Sequence, residues 1–170
     1  GEPWMPGTLV PYADFSISPA AGVLNYGQGL FEGMKAYRTE ADRIVFFRPE
    51  ENARRMQAGA DRLRMPPVPE SLFVDAVEQV VHANRDWVPP CGRGALYVRP
   101  ILFGSGPVLG VSPAPSFTFM VYCTPVGPYF KGGMNAISLV ISEDHHRAAP
   151  GGSGGAVSYT HLRAHETSKH

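Results

Sequence analysis

Met34-Lys35-Ala36-Tyr37-Arg38, a turn over residues 39–43, and Ile44-Val45-Phe46-Phe47-Arg48 are the stretch whose reading decides the fold. Two runs rich in β-branched and aromatic residues around a polar turn predict a β-hairpin. Upstream, Pro3, Pro6, Pro11 and Pro19 oppose a helix, so residues 1–19 read as an extended lead-in. Downstream, Pro49 suits the first turn of a helix, and Glu50 and Glu51 favour its positive end. That helix is predicted to run to about Met65, where Pro66-Pro67 stops it. A second helix follows, with Ser71 as its expected cap. Leu72, Phe73, Ala76, Val77, Val80 and Val81 give it an apolar stripe at helical spacing, and Pro89-Pro90 closes it after Trp87. Residues 95–103, 116–124 and 136–142 then read as strands. Two strands, two helices and three strands make an α+β order, with helices packed on one sheet.

The 170 residues carry 15 basic and 15 acidic side chains, a formal net charge of zero. Without a basic excess or cluster, a nucleic-acid surface is not expected. No apolar run approaches the length of a membrane span. Cys91 and Cys123 lie far apart, without metal-ligand or redox spacing, and suit a reducing compartment as unpaired thiols. The 19 glycines and 17 prolines gather at joints, which implies many short connections. The chain opens on Gly1, so its sequence leaves the compartment open.

Hydrolase and phosphate-loop signatures are missing: there is no G-x-S-x-G elbow, and no glycine run is followed by Lys-Ser/Thr. Cationic and phenolic residues in strand contexts stand out instead. Tyr97 and Arg99 lie two apart and therefore share a face of their strand. An arginine fork beside a phenol suits a carboxylate, although an arginine paired with an internal acid would look the same in sequence. Of Arg54 and Arg55, one arginine turned inward could hold an anion; a solvated helix face is the simpler alternative.

Leu24-Asn25-Tyr26-Gly27-Gln28-Gly29-Leu30-Phe31-Glu32-Gly33-Met34-Lys35-Ala36-Tyr37-Arg38 resembles the L-x-Y-G-x-x-x-F-E-G-x-K-A-Y/F signature of branched-chain amino acid aminotransferases. Phe47-Arg48-Pro49 with Asn52 and Arg55 follow in the family's order. So do Leu96-Tyr97-Val98-Arg99-Pro100, Leu109-Gly110-Val111 and the string from Pro125 to Phe130. The resemblance covers residues 10–155 and is nearest to the plant-type branch. It implies the small N-terminal domain of fold type IV over residues 1–130, a mixed sheet carrying two helices. Residues 131–155 would begin the cofactor domain. It also implies pyridoxal 5'-phosphate as cofactor, small amino and 2-oxo acids as substrates, a homodimer, and a plastid or mitochondrial home. Residue by residue, Arg55 would bind the cofactor phosphate. Tyr26, Phe31, Tyr97, Val111 and Tyr129 would line an apolar substrate pocket. Arg99 with Tyr97 would orient a substrate carboxylate, and Gly33 would let backbone approach the pocket. Related fold type IV activities, a D-amino acid aminotransferase or aminodeoxychorismate lyase, fit the F-E-G-x-K and Y-V-R-P strings less well.

The catalytic lysine is missing from this pattern. In the family it follows a glycine-rich string, here residues 151–156, and the expected position holds Val157. The lysines present are Lys35, Lys131 and Lys169. Cofactor chemistry of this kind needs a lysine both as the Schiff-base partner and as the proton carrier, so this polypeptide is expected to be inactive. From Val157 the tail reads as the translation of a transposase adaptor used in sequencing libraries, and residues 156–170 are set aside from function. His161 and His165, four apart, would otherwise suggest a metal site, but no third ligand is evident. The alternative from another class is a non-catalytic truncated domain acting through dimer contacts.

Overall fold

The computed structural model describes residues 4–128 together with 136, 138, 140 and 141. The hairpin is present: β2 (Met34–Arg38) pairs antiparallel with a short β3 (Ile44–Val45), Tyr37 facing Val45 and Arg38 facing Ile44. Before it lie a short helix α1 (Gly22–Tyr26) and β1 (Gly29–Phe31). Gly27 ends α1 in the left-handed conformation, φ 64°, that glycine adopts without a Cβ penalty. After the hairpin come α2 (Pro49–Arg62), α3 (Glu70–Ala83), β4 (Ala95–Gly104) and β5 (Phe117–Val126).

The helix boundaries depart from expectation in two places. The first helix stops at Arg62 rather than near Met65, and Arg64 takes a left-handed φ of 55° ahead of Pro66. In the second, Ser71 is not the cap. Pro69 holds that position and the helix opens on Glu70, so Ser71 lies inside the first turn. This helix also ends at Ala83, and a 3-10 turn (Arg85–Trp87) carries the chain on. Arg38 secures that junction, donating to the carbonyls of Arg85 (2.7 Å) and Val88 (3.3 Å), where a helix C-terminal end favours a cation.

β4 is the strand on which the sheet is built. β5 pairs along one edge from Ala95–Val126 to Gly104–Phe117; β1 and β2 share the other edge. All these ladders are antiparallel, so the mixed sheet implied by the family resemblance is an antiparallel one among the described residues. β1 and β2 keep one register on β4, from Gly29 opposite Phe103 to Ala36 opposite Leu96, and part only at Glu32-Gly33. Pro100 explains the break: it faces Glu32 and accepts that residue's N–H (2.8 Å), but has no N–H to return.

Alternation along β4 divides the molecule. Leu96, Val98, Pro100 and Leu102 are buried beneath the two helices, where they meet Met56, Phe73, Val77 and Val81. Tyr97, Arg99 and Ile101 point to the opposite face. The extended N-terminal segment crosses from one face to the other. Trp4 packs edge-on to Phe119 and donates to the Pro67 carbonyl, while Tyr12 and Phe15 lie against Tyr122 and Phe103. Among the described residues no helix is long and apolar enough to cross a membrane. The strand expected over residues 136–142, the Tyr129 position and the whole tail from residue 142 lie outside the described residues, apart from isolated positions that form no strand.

Phe73 is fully buried and stacks on Phe119 at 5.9 Å between ring centres, joining α3 to β5. Phe73→Ala is expected to destabilise the fold by about 3–5 kcal/mol, whereas Leu24→Ala on the exposed side of α1 costs under about 1 kcal/mol. Urea unfolding followed by circular dichroism reads both; equal losses would contradict this placement of the core.

Candidate active site

On the open face of the sheet, β1, β2, β4 and β5 bring side chains into rows. Lys35, Tyr97 and Thr124 form one row, Gly33 lies beside Arg99 and Tyr122, and Phe31, Ile101 and Met120 form a third. Arg99 occupies the middle. Its guanidinium carbon lies 4.3 Å from the centre of the Phe31 ring and 5.2 Å from that of Tyr97, and Nη2 donates to the Tyr97 hydroxyl at 2.8 Å. A guanidinium held between two aromatic faces keeps its plane, the orientation in which its fork of donors meets a planar anion.

Gly33 makes this arrangement possible. A Cβ at that position would overlap the Tyr97 hydroxyl. Absence of a side chain therefore leaves room for the phenol, whose hydroxyl accepts from Arg99.

On the other side of the same short stretch, Glu32 is 1% exposed, the buried acid of the described core. Arg55, from the second turn of α2, grips it with two parallel bonds, Nε to Oε1 at 2.7 Å and Nη2 to Oε2 at 2.5 Å. Asn52, one turn earlier, donates to the same Oε2 (2.7 Å) and to the Gly33 carbonyl (3.4 Å). The hydrogen bond to Glu32 raises the Arg55 guanidinium above its ordinary value, outweighing the lowering by burial. Arg55 is thus a fixed cation at any working pH. Of the adjacent pair, Arg54 meets the surface acids Glu51 and Glu70 and Arg55 meets the buried Glu32, although both side chains are equally exposed.

The expected pocket residues do not all converge. Phe31, Gly33, Tyr97 and Arg99 form one group, with Arg55 behind them across the sheet. Tyr26 stands at the far end of β4, where its hydroxyl donates to the Leu109 carbonyl at 2.6 Å; Val111 on the same loop is fully exposed. Five residues of strand separate Arg99 from Gly104, about 16 Å at the usual rise. Gln28 holds that loop, accepting from Ala114 N (2.9 Å) and donating to the Leu63 carbonyl (3.0 Å). Tyr129 lies outside the described residues.

Four residues near the site had no role in the sequence reading: Glu32, Asn52, Lys35 and Tyr122. Glu32 and Asn52 stand inside the quoted motifs, and an acid within an apolar strand was the available signal. Lys35 also stands in the quoted motif, but its place opposite Tyr97, like that of Tyr122 opposite Arg99, comes from register.

Gly33→Ala is expected to push the Tyr97 ring away and release Arg99 from its hydroxyl. Near-ultraviolet circular dichroism, compared with wild type, reads the displacement. Unchanged spectra with unchanged stability would contradict the close approach.

No family model matches the chain. Among curated relatives, "Branched-chain-amino-acid aminotransferase 2, chloroplastic" of Arabidopsis thaliana is 55% identical over 154 residues, 91% of this chain and 40% of that protein. "Methionine aminotransferase BCAT4" of the same plant is 52% identical over 94% of this chain and 45% of the relative. Among solved structures, a T.th. branched-chain amino acid aminotransferase with pyridoxamine 5'-phosphate superposes with a TM-score of 0.61 at 32% identity, covering 74% of this chain and 40% of the other. The chain thus spans less than half the length of the relatives it matches. More than half of its residues are shared with the first of these over nine-tenths of its length, and its antiparallel sheet superposes on a solved member, so the chain belongs to the branched-chain amino acid aminotransferase family.

Proposed function

We propose that the longer protein carrying this chain transfers the amino group of leucine, isoleucine or valine to 2-oxoglutarate, giving branched 2-oxo acids and glutamate. The observation that carries this is Arg99, braced by Phe31 and Tyr97 on a face where Ile101, Met120 and Tyr122 are its neighbours and Lys35 and Thr124 form the polar row beside Tyr97. An apolar surface with few polar groups suits aliphatic side chains, and one oriented guanidinium suits the carboxylate of glutamate or 2-oxoglutarate.

Pyridoxal 5'-phosphate is proposed as the cofactor, and the residues present fit its phosphate. Arg55 is a permanent cation, half exposed, with two of its five donors used on Glu32. The Glu32-Gly33 stretch joins the two arginines, Arg55 meeting Glu32 on the helix side and Arg99 lying beside Gly33 on the open face. When bound, the cofactor supplies the electron sink for labilising the substrate's α-hydrogen. The proton-carrying lysine expected at position 157 is a valine here. Residues 131–155 are proposed as the start of the cofactor domain and residues 156–170 as adaptor-derived, so this 170-residue polypeptide is inactive by itself.

Tyr26 and Val111 lie with the loop that follows the Gly104 end of β4, five positions along the strand from Arg99, and both expose apolar surface. A homodimer reconciles them with a substrate pocket, the Tyr26–Val111 end of one protomer reaching the Arg99 face of its partner. The plastid is the proposed compartment, after the chloroplastic relative; organelle fractionation distinguishes it from the mitochondrion.

The test is a coupled assay for glutamate with the longer protein, cofactor and 2-oxoglutarate. Leucine, isoleucine and valine are all expected to react, because one methylene changes discrimination by only about 1–3 kcal/mol. The same preparation is expected to sediment as a dimer. Glutamate formed from methionine alone would favour the activity in the name of the methionine relative. No glutamate from any of them would overturn the reading, and turnover by the 170-residue chain would overturn its proposed inactivity.

A further inference from the structure

We infer that Glu32 is a positioning residue for the cofactor's phosphate: it locks the Arg55 guanidinium so that the donors it leaves open face the phosphate in one fixed orientation. This rests on the reading above that Arg55 meets that phosphate.

Glu32 is costly to bury. A carboxylate 1% exposed under a helix needs compensation at both oxygens, and it has it: Arg55 on Oε1 and Oε2, Asn52 again on Oε2. The backbone places it there. Glu32 faces Pro100, the one residue of β4 that cannot complete the ladder, and its neighbours Phe31 and Gly33 turn to the Arg99 face.

Two parallel bonds on one edge stop the guanidinium from turning about its own axis and from swinging on its stem. The Nε–Nη2 edge is consumed; Nη1 and the second Nη2 hydrogen remain, on a side chain that is 55% exposed. A free arginine loses much rotamer freedom on meeting an anion, and one already held has less to lose. The opposing effect is charge: Glu32 neutralises part of the attraction for a dianion. Geometry wins if orientation counts for more than net charge, and this is what a substitution can read. Asn52 adds a link, since it bonds both Glu32 and the Gly33 carbonyl, so the stretch that seats the phosphate's arginine also seats Tyr97.

The alternative is that Arg55 serves Glu32 as a counter-ion, and the pair holds α2 to the sheet with no bearing on ligands. Equilibrium titration of the longer protein in its cofactor-free form separates the two, using pyridoxal 5'-phosphate and pyridoxal as probes and the ratio of their affinities as the readout. Glu32→Gln keeps the shape but turns one oxygen into a donor facing Arg55. It is expected to lower the ratio about tenfold, the lower end of what losing a supporting partner behind a ligand costs, while pyridoxal affinity holds. Asn52→Ala, which leaves the ion pair intact, is expected to lower it by a smaller factor and serves if Glu32→Gln does not fold. An unchanged ratio in the folded variants, with only the melting temperature reduced, overturns the inference. Arg55→Gln is the control for the underlying reading: if it too leaves the ratio unchanged, Arg55 does not meet the phosphate and the assignment of Arg55 falls first.

Discussion

The alternation of β4 is the constraint on which the rest depends. Among the described residues it alone is hydrogen-bonded on both edges along its length, so its two faces are fixed by its neighbours and cannot slip by a residue without exchanging core for site. Leu96, Val98, Pro100 and Leu102 fill the space beneath α2 and α3, and this requirement alone puts Tyr97, Arg99 and Ile101 on the opposite side. The position of the arginine is therefore secured by packing that the arginine takes no part in.

Interruption at a single point gives this sheet its chemistry. Pro100 removes one rung, and the strand opposite parts into β1 and β2 at Glu32-Gly33 without losing register. An acid and a glycine, both unfavourable in an ordinary strand, occupy the gap. Each has a reason to be there: the acid meets Arg55 and Asn52 on the helix side, and the glycine leaves room for Tyr97 on the other. Local departures from strand preference coincide with the candidate site, as they do where function rather than folding sets the residue.

Much of the scaffold was legible. The hairpin, the two helices and the strands at β4 and β5 follow from β-branched runs, an apolar stripe and proline punctuation. Period two placed Tyr97 and Arg99 together. What was not legible lacked a period or a local partner. At five and three residues, α1 and β1 are too short for a repeat to show. Ser71 looked like a cap because its side chain is suited to one, but the bend at Pro69 starts the helix first. That one of two adjacent arginines could hold an anion was an open alternative in the sequence; that Arg55 pairs with Glu32, 23 residues earlier and outside its own helix, could not be read there. Motif order likewise set Tyr26 and Val111 beside Arg99, whereas Tyr26 bonds the Leu109 carbonyl on the loop that follows the Gly104 end of β4.

The central claim is that Arg99 is held for the carboxylate that glutamate has and leucine lacks, and half-reaction kinetics test it most directly. In the longer protein with cofactor bound, Arg99→Gln is compared with wild type for amino transfer from glutamate and from leucine. The predicted result is that kcat/KM for glutamate falls about a hundredfold, as losing a desolvated charged partner worth roughly 3 kcal/mol implies, while leucine stays within about threefold. Equal losses for both donors would contradict it, placing Arg99 on the carboxylate they share or in the scaffold alone.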